Sequence, residues 1–379
     1  MHICFISSEY PVFDLPHGGV GTFIRNLGYK LVENNIQVSV IRMWDEPKSL
    51  TIDDNGVKVY LFSKKIKFVP DFYSCALEIN KVVKQIHKTQ KIDIIETPEL
   101  GLAFINKIEN IKYIIRMHGG HHFFTNSENR KKEWRKVWQE KKSFKKVDHI
   151  LAVSKYVADT TVKLLKIDKS VTVLYNPIDM NRFYQADYNK IEKHSIFFGG
   201  TIIEKKGIRQ LIQSLEYLID DFPDLKLYIA GRDAIIPGTN ISYRPILEKE
   251  ISKKMAKHIH FLGTIPNFDM PNQIEKANVC CYPSHMEAMP LAWLEVLAMG
   301  KTFIGSKTGP GPEAVQDGIT GLLVDPYDPI DIAEKIRYVF NNPIIAKQLG
   351  ERARIQMIKE FDVAVMVDKN IQFYKSILY

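Results

Sequence analysis

Residues 279–306 are VCCYPSHMEAMPLAWLEVLAMGKTFIGS, a helical stretch between two short apolar runs. The same alternation of apolar run and helical stretch recurs along the chain, from HICFISS at residue 2 to LLV at residue 322. Continuous apolar strands that alternate with helices are typical of parallel sheets covered on both faces. The alternation restarts after a polar stretch at about residues 181–194. We therefore predict an α/β protein with two doubly wound sheets.

Many of the predicted strands end in a small or polar residue: Ser7, His118, Ser154, Asn176, Gly200, Gly231, Gly263, Ser284 and Ser306. In open α/β sheets, ligands bind beyond the carboxyl ends of the strands. We expect two Rossmann-like domains, residues 1–180 and 181–362, whose carboxyl edges face each other across one interdomain cleft. Residues 363–379 form a final helix that we expect to pack back on the first domain.

Composition excludes several classes of protein. The chain has 379 residues, 45% of them hydrophobic and 25% charged, which is typical of globular proteins. No apolar stretch is long enough to span a bilayer, and the N-terminus resembles a buried strand more than a signal peptide. The four cysteines fit neither a zinc site nor a disulfide framework, so we expect a reducing cytoplasm. The net charge of +8 lies entirely in residues 1–180.

Two glutamates mark a candidate site in the opening segment. Glu287 lies in a loop, and Glu295 lies on the helix predicted over Ala292–Met299. The start of that helix lies between them and offers free backbone N–H groups to an anion or a sugar oxygen. Acidic residues near a helix start also favour the helix dipole, which is the purely structural interpretation of Glu287.

The segment resembles the E-x-F-G-L-x-x-x-E signature of family 4 retaining glycosyltransferases, which have the GT-B fold of two Rossmann-like domains. Other pieces of that pattern follow the family's order along nearly the whole chain: HGGVGTFIRNL, RMHGGHH, AVSKYV, NPID, GGTIIEKKG, AGRD and GPEAVQDGITGLLVDPYDP. Each piece is weak alone. Their order implies a metal-independent enzyme that needs no cofactor and moves a sugar from a nucleotide-sugar to a hydroxyl.

The resemblance implies a role for each matching residue. It makes residues 1–180 the acceptor side and residues 181–362 the donor side. Glu287 would contact the transferred sugar, Glu295 would hold the ribose, and His118 would lie near the reacting sugar. The catalytic set is then His118, Lys206 and Glu287. The donor-binding set is Gly18, Gly19, Gly200, Thr201, Lys205, Lys206, Ala288, Met289, Pro290, Leu291 and Glu295, with Arg232 and Glu313 as secondary contacts.

Several of these roles have alternatives. The loop from His17 to Thr22 is either a phosphate or acceptor site or a plain tight turn. His118 could be a core histidine, with His121 and His122 the important ones instead. Those two could also bind a metal, which is the least favoured alternative because the family works without one. Asp328 and Pro329 have only a structural role, as the cap and first residue of a helix.

Two departures from the family pattern concern the donor. Thr201 replaces the usual arginine, so Lys206 is the one matching cation for the diphosphate, and Lys205 or Arg232 could compensate. Ala288-Met289-Pro290 replaces Gly-Phe-Gly, and proline lacks a backbone N–H that could donate to a ligand.

Nine basic residues between Arg130 and Lys146 surround a stripe of Trp134, Val137 and Trp138. The stripe either faces the core, with solvated lysines around it, or forms a surface for anionic lipid or a phosphate-bearing acceptor.

We therefore expect a retaining hexosyltransferase that uses a UDP-, GDP- or ADP-sugar and a glycan, lipid-linked or small-molecule acceptor. Its setting would be bacterial surface glycan (polysaccharide or lipopolysaccharide) synthesis, in the cytoplasm or on the inner face of the membrane. The rivals are a nucleotide-sugar epimerase or hydrolase and a binding module without turnover. The basic patch is a single helix, which argues against nucleic acid as a partner.

Overall fold

The computed structural model describes residues 1–378 except 14, 16, 17, 47, 64–70, 129, 130 and 237, and describes residues 71–73 by their backbone alone. His17 and Arg130, which carry predictions above, lie outside the described residues. The chain divides into two compact units. Unit 1 is Met1–Pro177 with Ala364–Tyr379, and unit 2 is Ile178–Val363. The sequence places these divisions at 180/181 and 362/363.

Unit 1 contains an eight-stranded sheet. Its strands are β1 (His2–Ile6), β2 (Gln37–Trp44), β3 (Leu50–Asp54), β4 (Val57–Ser63), β5 (Ile94–Thr97), β6 (Lys112–Met117), β7 (His149–Ala152) and β8 (Val171–Val173). The order across the sheet is β3-β4-β2-β1-β5-β6-β7-β8, and every pair is parallel except β3 with β4. The helices are α1 (Gly19–Glu33), α2 (Asp71–Thr89), α3 (His121–Ser127), α4 (Trp134–Lys146) and α5 (Lys155–Leu165).

The antiparallel edge strand β3 is the one strand that the apolar runs did not predict. Its residues are mostly exposed or half-buried, so it lacks the continuous apolar signal of its neighbours. Asn55 and Gly56 both have positive φ, 52° and 85°, and connect β3 to β4. An Asn-Gly pair with this geometry is a preferred two-residue hairpin turn.

Unit 2 contains a six-stranded, fully parallel sheet. Its strands are β9 (Ser195–Gly199), β10 (Lys226–Ala230), β11 (Ile259–Gly263), β12 (Val279–Tyr282), β13 (Phe303–Ser306) and β14 (Leu322–Val324). Their order is β11-β10-β9-β12-β13-β14. The helices are α6 (Ile208–Ser214), α7 (Arg244–Lys249), α8 (Lys253–Ala256), α9 (Met270–Lys276), α10 (Leu291–Ala298), α11 (Gly311–Ala314), α12 (Pro329–Asn341) and α13 (Pro343–Glu360). As predicted, Asp328 caps α12 by accepting from Ile330 N–H, with Pro329 first in the helix.

The last helix, α14 (Val363–Ser376), belongs to unit 1 from its second residue onward. A buried polar network joins it to the sheet. Arg116 on β6 donates to Glu96 on β5 at 2.6 Å, and to the Asn370 and Tyr374 side chains of α14 at 2.7 and 3.1 Å. The Tyr374 hydroxyl donates to Glu96 at 2.8 Å. All four side chains are buried, so each charge depends on these partners.

Helix α4 buries two polar side chains and one phenylalanine. Glu140, Ser143 and Phe144 are buried, whereas Trp134 and Trp138 are 73% and 50% exposed. The core-facing interpretation of the tryptophan stripe is therefore wrong. Ser143 accepts from Leu102 N–H at 3.0 Å, so part of the inner face pairs with loop backbone.

Within the described residues, no helix is both long and apolar enough to cross a membrane. Cys4, Cys280 and Cys281 are fully buried free thiols.

Candidate active site

The site in unit 2 forms where the strand order reverses, between β9 and β12. The turn Glu204–Lys206 follows β9, and the loop that leads into α10 follows β12. Loops at such a reversal open a crevice beyond the carboxyl ends of the strands, where ligands of doubly wound sheets bind. Both segments carry residues that the sequence predicts for the donor.

Backbone contacts hold the turn against the loop. Gly207 follows the turn with φ +69°, and a Cβ there would lie 1.8 Å from the Pro283 carbonyl oxygen. The His285 N–H donates to the Lys205 carbonyl at 2.8 Å. Glycine alone tolerates both the positive φ and so close an approach. Gly207 therefore fixes the lysine turn against the glutamate loop.

Lys206 and Glu287 form an ion pair across this contact, between Nζ and Oε1. Glu287 is buried, and the Lys206 side chain is 21% exposed. A buried carboxylate needs a charged partner to remain ionised at low cost. The structure thus places a cation and a carboxylate in contact, two of the three residues that the sequence predicts to be catalytic. The third, His118, belongs to unit 1.

Glu295 lies in the second turn of α10, on the same segment as Glu287. Within the described part of the chain, its carboxylate makes no hydrogen bond. Burial raises the pKa of Glu295 to about 7, and the Arg182 charge opposes that rise. A ligand hydroxyl that donates to the carboxylate would stabilise its charged form. Arg182 was not predicted, because no motif in the sequence links it to residue 295.

The segment that contains Thr201 runs beside a second basic residue, Arg232. Ile202 N–H donates to the Arg232 carbonyl at 2.9 Å, so the two backbone segments lie side by side. Gly231 permits this approach, since a Cβ there would lie 1.8 Å from the Gly200 carbonyl oxygen. The Arg232 side chain is exposed, and it forms no ion pair with any residue that the structure describes. Arg232 therefore stays a candidate for the charge that Thr201 lacks.

Helix α10 begins one residue earlier than predicted, at Leu291. Pro290 caps it with extended backbone and no side-chain hydrogen bond, and its first turn has no acidic residue. The preceding Ala288 and Met289 are buried. Among the residues that the structure describes, no side chain caps this helix start, which suits an anion. Glu313, the secondary candidate, lies in the first turn of α11.

In unit 1, His118 follows β6, and a backbone hydrogen bond together with a ring contact fixes its position. Its N–H donates to the Glu99 carboxylate at 2.7 Å, and its ring packs edge-on against Phe23 with centroids 5.1 Å apart. Burial, reinforced by the Arg116 charge, lowers the pKa of His118 to about 3. The imidazole is therefore neutral at physiological pH and can act as a hydrogen-bonding group but not as a cation.

Two buried carboxylates surround the turn after His118, and sequence patterns predicted neither. Glu140 accepts from His122 N–H at 2.9 Å and contacts the His122 ring. A Cβ on Gly120 would lie 1.9 Å from Glu140 Oε1 and 3.0 Å from Glu99 Cγ, so the glycine makes room for both acids. Burial, together with Glu140, raises the pKa of Glu99 to about 8. Glu99 is thus mostly protonated at neutral pH.

The three glycines at the start of α1 differ in whether the fold requires a glycine at their position. Gly21 is required by the fold, because a Cβ there would lie 1.7 Å from the Glu9 carbonyl oxygen. Gly18 contacts the flexible Glu9 side chain, and Gly19 faces open space. The fold therefore gives no reason for glycine at position 19, where a ligand could approach the backbone.

A cavity of about 780 Å³ opens at the carboxyl ends of the unit 1 strands, and the described residues that line it all belong to that unit. We call it the unit 1 cavity. His118, Glu99 and Gly119 line one part of it, next to Ser7 and Gln139. Phenylalanine, isoleucine and methionine side chains line much of the remainder.

Among the residues that the structure describes, no group of three or more histidine, cysteine or acidic side chains is arranged to hold a metal ion. The His121 and His122 pair is accounted for by hydrogen bonds. His122 contacts Glu140, and the His121 ring accepts from Glu133 N–H at 3.1 Å.

Comparison with known proteins identifies the family of the chain. A model of "Glycosyltransferase Family 4" matches residues 17–182, and a model of "Glycosyl transferases group 1" matches residues 182–356. The chain belongs to the family 4 glycosyltransferases. An uncharacterised glycosyltransferase of Methanocaldococcus jannaschii is 25% identical over 361 residues, which cover 93% of this chain and 92% of the relative.

Solved structures of glycosyltransferases share the fold, which is GT-B. Sucrose-phosphate synthase from Thermosynechococcus elongatus superimposes with a TM-score of 0.86 at 19% identity, covering 99% of this chain and 98% of that one. HepE from Anabaena, solved in complex with UDP-glucose, has a TM-score of 0.78 at 16% identity, with 99% and 100% of the two chains covered. Each domain is Rossmann-like, as the alternation of strands and helices predicts.

Proposed function

We propose that this glycosyltransferase moves a hexosyl group from a nucleoside diphosphate-sugar to an acceptor hydroxyl, with retention at the anomeric carbon. The contact between Lys206 and Glu287 at the strand reversal of unit 2 carries the proposal. It supplies a cation for the diphosphate and a carboxylate for the sugar, and Glu295 on the following helix can accept from ribose hydroxyls.

The reaction breaks the bond between the anomeric carbon and the diphosphate oxygen. A bond from that carbon to the acceptor oxygen forms, and the acceptor proton leaves with the nucleoside diphosphate. Charge develops on the departing diphosphate, where Lys206 and the start of α10 would stabilise it. Donors fixed in advance at the site of developing charge lower the barrier most effectively. His118, neutral at physiological pH, would hydrogen-bond a hydroxyl.

UDP-sugars are our first choice of donor, because HepE was solved with UDP-glucose. GDP- and ADP-sugars remain to be compared with them. A thermal-shift series with the three nucleotide classes identifies the base, since a ligand that binds only the native state raises the melting temperature.

The transfer itself is tested by incubating the protein with the donor, with and without candidate hydroxyl acceptors, and following nucleoside diphosphate release. Acceptor-dependent release, together with a product that keeps the donor's anomeric configuration, supports the proposal. Release or epimerisation of the sugar with donor alone would establish a hydrolase or an epimerase. Donor binding without any turnover would establish a binding module.

Metal independence is part of the proposal. The phosphate charge would be met by Lys206, Arg232 and backbone N–H groups. We expect turnover to survive excess chelator. Loss of turnover in chelator, with recovery on addition of manganese or magnesium, would contradict this.

We also propose, by analogy with the family that the motifs resemble, that the reaction belongs to bacterial surface glycan synthesis, in the cytoplasm or on the inner face of the membrane. The free, buried cysteines are compatible with a reducing compartment. Fractionation of cells that produce the protein, with and without a salt wash, tests the location.

A further inference from the structure

The unit 1 cavity has walls unsuited to a sugar over much of their extent. The apolar side comprises Ile6, Ile41, Met43, Phe62, Ala76, Ile79, Phe104, Ile105 and Phe124. These side chains offer no hydrogen-bond donors or acceptors. Sugar hydroxyls placed against them would lose their water without finding partners, whereas hydrocarbon placed there would be stabilised.

Polar side chains also line the cavity: Ser7, Ser8, Glu9, Glu99, His118, His121, Thr125, Lys136 and Gln139. Two of them are in contact, since the His118 N–H donates to the Glu99 carboxyl group at 2.7 Å. A limited number of polar groups in a largely apolar pocket fixes the orientation of an amphiphilic ligand. A hydroxyl-bearing head would bind these polar side chains, and an apolar chain would lie against the apolar ones.

The cavity wall continues into the exposed face of α4 through Phe104. Its ring lines the cavity and lies 5.8 Å from the Trp138 ring, between centroids. The Lys142 ammonium lies over both rings, at 5.0 Å from Phe104 and 4.6 Å from Trp138. Trp134 lies one helical turn before Trp138 and is 73% exposed.

The charge around these aromatic rings is positive. Exposed basic side chains cover α4 and the residues before it: Lys131, Lys132, Arg135, Lys136, Lys141 and Lys145. Exposed tryptophans among basic residues on an amphipathic helix suit an anionic bilayer surface, with the rings at the level of the headgroups.

We propose that the acceptor is an anionic amphiphile, whose apolar chain occupies the unit 1 cavity and which reaches it from an anionic bilayer surface at the exposed face of α4. This rests on the proposed function, since it names the acceptor class of the same transfer. Phe104 is the side chain through which the bilayer-facing surface and the cavity are continuous.

Calorimetry compares two probes, decyl phosphate below its micelle concentration and glycerol 3-phosphate. We expect decyl phosphate to bind and glycerol 3-phosphate to bind at least tenfold more weakly, because the apolar chain provides the affinity. Equal or absent binding of the two would overturn the inference. This comparison uses the wild-type protein and needs no variant to fold.

A matched pair of variants locates the chain. Ala76→Trp fills the cavity from α2, whereas Leu77→Trp places the same indole ring at the next, 59% exposed position outside the cavity lining. We expect Ala76→Trp to weaken decyl phosphate binding at least tenfold and Leu77→Trp to leave it unchanged. Unaltered binding by folded Ala76→Trp would place the chain elsewhere and contradict the proposal.

Flotation with vesicles tests the route. Wild-type protein should bind vesicles of phosphatidylcholine with phosphatidylglycerol, release them at high salt and ignore phosphatidylcholine alone. Trp134→Ser/Trp138→Ser should lose most of this binding, and equal binding by that variant would contradict the route.

UDP titration separates the two proposals. Failure of decyl phosphate with UDP binding intact overturns this inference alone, and the reverse result overturns the donor assignment.

Discussion

At the scale of single residues, the proposed donor site depends on one lysine. Lys206 contacts Glu287, and Gly207 sets the position of the lysine turn against the Pro283 carbonyl. A diphosphate would compete with the carboxylate for the same ammonium group. Because the fold fixes the position of the turn, the lysine meets the condition for effective electrostatic stabilisation.

We expect Lys206→Ala to lower kcat by about 100-fold, on the scale of removing one preorganised donor, without loss of fold. Steady-state kinetics on Lys206→Ala, compared with Lys205→Ala and Arg232→Ala, measures the effect and shows which of the three cations matters most. A nearly unchanged kcat in Lys206→Ala would assign the diphosphate to Lys205 or Arg232.

Glu99 gives a residue-scale prediction about pH. Its pKa is raised to about 8 in the folded protein, against 4.5 when unperturbed, so between these values the folded state keeps a proton that the unfolded state loses. Stability therefore falls as pH rises through this window. Glu99→Gln imitates the protonated acid and removes this dependence.

The free energy of unfolding in urea should therefore fall less steeply in Glu99→Gln than in wild type. The difference between the two proteins should change by about 1.4 kcal/mol for each pH unit between pH 5 and pH 7. Parallel curves for the two proteins would show that Glu99 is ionised in the folded state.

At the scale of elements, a buried network of charged and polar side chains attaches α14 to the unit 1 sheet. Tyr374 donates to Glu96, and Arg116 pairs with both the acid and the helix. Removing one hydroxyl leaves its buried partners under-satisfied, which costs about 1–3 kcal/mol. We expect Tyr374→Phe to destabilise the protein by that amount in urea unfolding.

Tyr338→Phe is the control for this network. Tyr338 is 42% exposed, and its hydroxyl makes no hydrogen bond within the described residues, so its loss should change stability by less than about 0.5 kcal/mol. Equal effects of the two substitutions would mean that the network adds nothing to the attachment of α14.

Local sequence patterns predicted where the strands and helices lie better than they predicted which faces of those elements are buried. The apolar runs located the parallel strands, because strands buried on both faces are apolar throughout. They missed β3, which is mostly exposed. They could not decide which face of α4 is buried, because periodicity records an apolar stripe and not its partner. In the structure, the buried face satisfies loop backbone through Ser143 and Glu140.

At the scale of the whole molecule, each unit holds its candidate site at the point where its strand order reverses. In unit 1, the segments after β1 and β5 supply Ser7 and Glu99, and in unit 2 those after β9 and β12 supply Lys206 and Glu287. The order of family motifs predicted the second pair. Glu99 was not predicted because its contact with His118 spans 19 residues and has no sequence signature. Arg182 was missed for the same reason.

The central claim is that unit 2 holds a nucleoside diphosphate-sugar, with Glu295 on the ribose and Glu287 on the sugar. Ribose contacts persist from ground state to transition state, so they govern binding, whereas contacts with the reacting sugar govern kcat. Removing Glu287 also frees Lys206 for the diphosphate. Glu295→Ala should therefore weaken nucleotide binding, and Glu287→Ala should preserve it.

Calorimetric titration of UDP into wild type, Glu295→Ala and Glu287→Ala tests this most directly. The account predicts a dissociation constant at least tenfold higher for Glu295→Ala, and one equal to or lower than wild type for Glu287→Ala. GDP and ADP replace UDP in the same titration if they give the larger thermal shift. Loss of nucleotide binding in Glu287→Ala, with Glu295→Ala unchanged, would contradict the account and reverse the two roles.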